Sequence, residues 1–127
     1  MKNLTGWLLQ ELLSDRHREH SCIRAYTPGA AIFRVGDPGD YLAVLISGTV
    51  EIRKGEKIIS VVEPGSMFGE MGIIDHQPRM ADAVAKTNCK IAEVREGQFM
   101  ALLEATPYFA LSLMRLLTDR FRRQTNT

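Results

Sequence analysis

Glu70 and Arg79 stand nine residues apart in the run FGEMGIIDHQPRMADAVA, residues 68–85, the first directly after Gly69 and the second directly after Pro78. These residue types suit recognition of a small anion that also carries a hydroxyl. A glycine lets the backbone approach a ligand closely. Glu70–Ile74 has the length of one helical turn, and the first amides of such a turn lack a partner inside it. Arg79 offers a planar fork for two phosphate oxygens and keeps its charge at cellular pH, and Pro78 fixes the approach to it. Glu70 would repel a phosphate, but an ionised carboxylate accepts hydrogen bonds from hydroxyls. A phosphate and a ribose hydroxyl on one small molecule describe a nucleotide. The other reading pairs Glu70 with Arg79 on a surface loop, a contact worth about 0–1 kcal/mol. Spacing alone leaves both readings open.

The elements that position these residues must come from one ordinary domain, since the chain has 127 residues, 45% of them hydrophobic and 24% charged. A net charge of +1 creates no global field towards nucleic acid or membrane. Arg115, Arg120, Arg122 and Arg123 cluster near the C-terminus, where a solvated helix end suited to the helix dipole is expected. Cys22 and Cys89 read as reduced thiols. No run approaches the roughly 20 apolar residues of a membrane span, and no secretory signal pattern opens the chain. A soluble, cytoplasmic protein is expected.

Residues 4–20 read as a helix, with Trp7, Leu8, Leu9, Leu12 and Leu13 at helical spacing. From about residue 22 to 95, short apolar runs alternate with turn signals at Pro28-Gly29, Gly36-Asp37-Pro38-Gly39, Ser47-Gly48, Gly55 and Pro64-Gly65. That texture predicts an all-β barrel or sandwich. In Tyr41–Arg53, Leu42, Val44, Ile46, Gly48, Val50 and Ile52 predict one buried face, while Ser47, Thr49, Glu51 and Arg53 face water. A turn or bulge is expected at Ser47-Gly48, a hairpin tip at Arg53–Lys57 leading into Ile58–Val62, and at least one further strand in Ala83–Val94. Residues 96–124 return to helical period: a short helix over Glu96–Leu103, a start at Thr106-Pro107, and an amphipathic helix. Its stripe is Phe109, Ala110, Leu113, Met114, Leu116, Leu117 and Phe121, expected to pack on the barrel.

The run FGEMGIIDHQPRMADAV resembles the phosphate-binding cassette of the cyclic nucleotide-binding domain family, and FRVGDPGDYLAVLISGTVEI, residues 33–52, resembles that family's glycine-marked strand pair. The resemblance covers roughly residues 22–121. It implies a mainly β fold, a jelly-roll barrel flanked by an N-terminal helix and C-terminal amphipathic helices, within a single domain over residues 1–127. It also implies a ligand site of Phe68, Gly69, Glu70, Met71, Arg79 and Met80. There Gly69 and the following turn bind the cyclic phosphate, Arg79 pairs with it, and the Met80 amide assists. Glu70 takes the ribose 2′-hydroxyl, and the last helix closes over the base.

Two positions depart from the family's pattern. Met80 stands where Ala, Ser or Thr is usual, bringing bulk and no hydroxyl, which favours cAMP over cGMP. Asp82 stands where Thr or Ser is common, and a carboxylate facing the phosphate would oppose binding. These departures motivate an alternative: a degenerate fold that serves as a dimerisation or protein-docking unit without nucleotide. Catalysis is not expected. Glu70 has no second carboxylate near in sequence except Asp75, and the only histidines, His17, His20 and His76, do not form the cluster a metal-dependent barrel enzyme needs. No metal, no cofactor and no helix-turn-helix for DNA are expected. The expected partners are the nucleotide and, through the C-terminal helix, a second copy or an effector protein. Thr106-Pro107 is the expected pivot for a ligand-driven movement of that helix.

Overall fold

Residues 22–125 are described by a computed structural model; the helix expected over residues 4–20, with His17 and His20, lies outside them. Eight strands run in chain order: β1 (Cys22–Tyr26), β2 (Ala31–Phe33), β3 (Tyr41–Ser47), β4 (Val50–Lys54), β5 (Lys57–Val62), β6 (Met67–Phe68), β7 (Asp82–Ala85) and β8 (Cys89–Arg95). Among the described residues three helices interrupt or follow them: α1 (Glu70–Asp75), α2 (Glu96–Ala105) and α3 (Pro107–Thr125). The strands form two antiparallel four-stranded sheets, ordered β1-β8-β3-β6 and β2-β7-β4-β5. This is the expected mainly β fold with flanking helices.

Apolar residues fill two layers. Between the sheets lie Phe33, Ala43, Leu45, Val50, Phe68, Ala83 and Ile91 with their neighbours. On the outer side of the first sheet, Leu42, Val44, Met67, Ala92 and Val94 pack against Ile73 of α1, Phe99 and Leu102 of α2, and Leu113 of α3. β3 is therefore buried on both faces, and the single buried face expected from its even positions is incomplete: Ala43 and Leu45 are as inaccessible as Leu42 and Val44. Helices cover the face that a solvated sheet would leave wet. The irregularity expected near Ser47 is present as a register break between Leu45 and Ser47. Beyond it Glu51 is buried rather than solvated, and receives a hydrogen bond from Arg53.

Thr106 is extended at φ −140 and ψ 85, as the residue before a proline tends to be, and this separates α2 from α3. The α3 stripe is narrower than expected. Leu113 is buried with Leu116 and Leu117 packed beside it, whereas Met114 and Phe121 are exposed.

Candidate ligand site

β6 delivers its two residues into the core, Phe68 with its ring 6.0 Å from that of Phe33. The chain then turns sharply at Gly69, whose φ of 75 is left-handed. A side chain here would be strained, and its Cβ would come within 2.6 Å of an Arg79 guanidinium nitrogen, so only glycine fits. α1 follows at once, with no side chain capping its start. Its middle is pressed onto the β2–β3 loop where Gly72 meets Gly39: a Cβ on Gly39 would lie 2.9 Å from the Gly72 Cα.

Arg79 is fixed at both ends. Its amide donates to the Asp37 carbonyl at 2.9 Å, and its own carbonyl accepts from the Gly36 amide at 2.8 Å. The guanidinium lies 4.2 Å from the Phe33 ring centroid and 4.8 Å from that of Tyr41. One terminal nitrogen donates to the Gly69 carbonyl at 2.6 Å and the other to the Tyr41 carbonyl, while Nε is buried without a partner. Burial lowers the guanidinium pKa, and neighbouring Tyr41 and Asp40 oppose that shift; an arginine keeps its charge in a folded protein.

Glu70 does not pair with Arg79. Its buried carboxylate accepts from Arg120 of α3, which also donates to the Met67 carbonyl at 3.0 Å. Arg120 was expected at a solvated helix end; it instead bridges α3 to β6 and α1. The surface-pair reading of Glu70 and Arg79 fails for the same reason: both are almost wholly buried, at 4% and 5% exposure, with separate partners.

Of the six expected ligand residues, Gly69, Glu70 and Arg79 converge, and Phe68 supports them from the core. Met71 and Met80 turn outward, and Met80 at 72% exposure brings no bulk into a pocket. Asp82 does not stand free: its carboxylate accepts the Val35 amide at 2.8 Å. Phe33 and Tyr41 against Arg79, and Arg120 on Glu70, are contacts that spacing did not single out. A surface cavity of about 410 Å³ at the far end of α1, lined by Gly39, Asp40, Ile73, His76 and Glu96 among others, shares none of Gly69, Glu70 and Arg79. Its charged groups, Asp40, His76 and Glu96, are exposed, unlike the buried Glu70 and Arg79. Among the described residues no group of three or more His, Cys, Asp or Glu could hold a metal ion, and no helix is long and apolar enough to cross a membrane.

Burial, reinforced by the Glu93 charge, pushes the Tyr41 hydroxyl up to about 12. An unfolded tyrosine titrates near about 10. The stability from keeping Tyr41 neutral is therefore fully present below about pH 10 and lost as pH rises through about 12. A spectrophotometric titration of phenolate absorbance should show a late step near pH 12 that Tyr41→Phe removes; an unchanged curve in Tyr41→Phe would contradict this assignment.

Residues 23–106 match the model of the cyclic nucleotide-binding domain. The chain belongs to that family. It is 31% identical over 103 residues to a CRP-like cAMP-activated global transcriptional regulator of Mycobacterium tuberculosis, covering 77% of this chain and 46% of the regulator. It is 36% identical over 80 residues to a cAMP-dependent protein kinase regulatory subunit of Colletotrichum orbiculare, covering 61% of this chain and 20% of the subunit. Among solved structures, the catabolite activator protein of Thermus thermophilus superposes with a TM-score of 0.78 at 28% identity, covering 92% of this chain and 59% of that one. The chain thus spans about half or less of the curated relatives it matches.

Proposed function

We propose that this cyclic nucleotide-binding domain binds cAMP in preference to cGMP and acts as a non-catalytic sensor in the cytoplasm. The observation that carries this reading is the Gly69–Arg79 contact, which places a rigid, charged guanidinium against the open start of α1 with Glu70 buried beside it. In this reading Arg79 and the amides after Gly69 hold the cyclic phosphate, with the Met80 amide assisting. Glu70 exchanges part of its contact with Arg120 for the ribose 2′-hydroxyl, so that α3 responds to occupancy and passes the signal to a second copy or an effector. Two relatives named for cAMP support the choice of nucleotide. Met80 facing solvent and the Asp82 carboxylate on a backbone amide favour this reading over the non-binding alternative.

Calorimetric titration with cAMP and cGMP tests the reading, with cAMP expected to bind more tightly. Cyclic 2′-deoxyadenosine monophosphate separates the role of Glu70. It should bind wild type more weakly than cAMP does, by about the 0.5–1.5 kcal/mol of one hydrogen bond or somewhat more for a charged acceptor. The difference should shrink in Glu70→Gln and Glu70→Ala. Equal losses in all three proteins would assign Glu70 another part.

A further inference from the structure

Asp82 opens β7 three residues after Arg79, in register with Arg53 of β4. On its other side β7 pairs with β2, and that ladder ends at Phe33 opposite Ala83. Beyond Phe33 the chain leaves the sheet in a tight turn: the Asp37 amide donates to the Arg34 carbonyl, and the Arg34 amide to the Asp37 carboxylate, each at 3.0 Å. The Val35 amide then has no strand to pair with, and the Asp82 carboxylate takes it at 2.8 Å. The next two residues complete the contact, with the Gly36 amide on the Arg79 carbonyl and the Arg79 amide on the Asp37 carbonyl.

We propose that Asp82 is a positioning residue for Arg79: it extends the β2–β7 ladder past its end, and so holds the 34–37 turn in place to grip both backbone polar groups of the arginine. This rests on the assignment of Arg79 to the phosphate. A hydrogen bond from an amide to a charged acceptor is strong enough to fix such a turn. The role is opposite in sign to electrostatic repulsion, under which a carboxylate close to the phosphate would weaken binding and its removal would strengthen it.

The two possibilities separate in cAMP titrations of wild type, Asp82→Asn and Asp82→Ala. Asp82→Ala should lose about three- to tenfold in affinity, a part of the worth of one such bond, since it acts on the nucleotide only through Arg79. Asp82→Asn retains a carbonyl acceptor of the same shape and should recover most of that loss. Tighter binding by both variants would mean repulsion, and unchanged binding in Asp82→Ala would mean no role; either overturns the proposal. Hydrogen exchange without nucleotide gives a second readout. The Val35, Gly36 and Arg79 amides should exchange faster in Asp82→Ala and near wild-type rates in Asp82→Asn, and no change at these amides also overturns the proposal. Failure of wild type to bind cAMP at all would remove the nucleotide reading, while the exchange rates would still report on the turn.

Discussion

Arg79→Lys and Arg79→Ala should each weaken cAMP binding at least about tenfold, measured by calorimetry at fixed ionic strength. Loss of a partly buried, charge-assisted contact costs about 2–5 kcal/mol, more than any other single side chain here is expected to contribute. The lysine variant is the more informative of the two. It keeps the charge but lacks the planar fork, and it cannot occupy the slot between the Phe33 and Tyr41 rings while reaching two oxygens at once. If charge alone attracted the nucleotide, Arg79→Lys would bind nearly as wild type. Arg79→Ala leaves the Gly69 and Tyr41 carbonyls without their donors, and a single ammonium in Arg79→Lys cannot reproduce the fork that serves both, so thermal stability should be measured alongside. Unchanged cAMP affinity in both variants would remove Arg79 from the site.

The geometry accounts for which parts could be read from sequence. Gly69, Glu70 and Arg79 lie within one short segment, so their residue types drew the eye to one place, but spacing left a Glu70–Arg79 surface pair open and the family resemblance chose between the two. The succession of short strands and turns and the helix break at Thr106-Pro107 were legible for local reasons, whereas the order β1-β8-β3-β6 and β2-β7-β4-β5 joins segments far apart in the chain and was not. Burial of β3 on both faces was not drawn from the alternation of Leu42, Val44 and Ile46, although the unbroken apolar run Tyr41–Ile46 signals it. That burial depends on α2 and α3 folding back over the sheet, a long-range event that period-2 reasoning does not contain. Phe33 and Tyr41 were hidden because an aromatic residue in a strand looks like ordinary core, whether it packs on leucine or on a guanidinium. Asp82 was read through its charge alone, whereas its partner is a backbone amide 47 positions away in sequence.

Arg120 is the clearest case of such hidden pairing, being 50 residues from Glu70, and its contact leads to the second large effect. Glu70 is buried and its ion-pair partner is only partly exposed, so removing Arg120 strands a carboxylate that cannot recover its hydration. Arg120→Met, which keeps an apolar stem of similar length, should cost about 1–3 kcal/mol of stability in urea unfolding. Glu70→Gln combined with Arg120→Met should cost clearly less than the sum of the two single changes, because the neutral amide no longer needs the partner. Additive losses would mean that the two side chains do not interact in solution. The same pair makes α3 sensitive to the site, since contacts that differ between the empty and filled states are what a ligand needs in order to shift a helix. In wild type, saturating cAMP should slow amide exchange in residues 107–123 together with residues 68–80. In Arg120→Met the α3 amides should exchange faster without nucleotide, and their response to cAMP should be reduced. Protection confined to residues 68–80 in wild type would mean that the domain holds its nucleotide without engaging this helix.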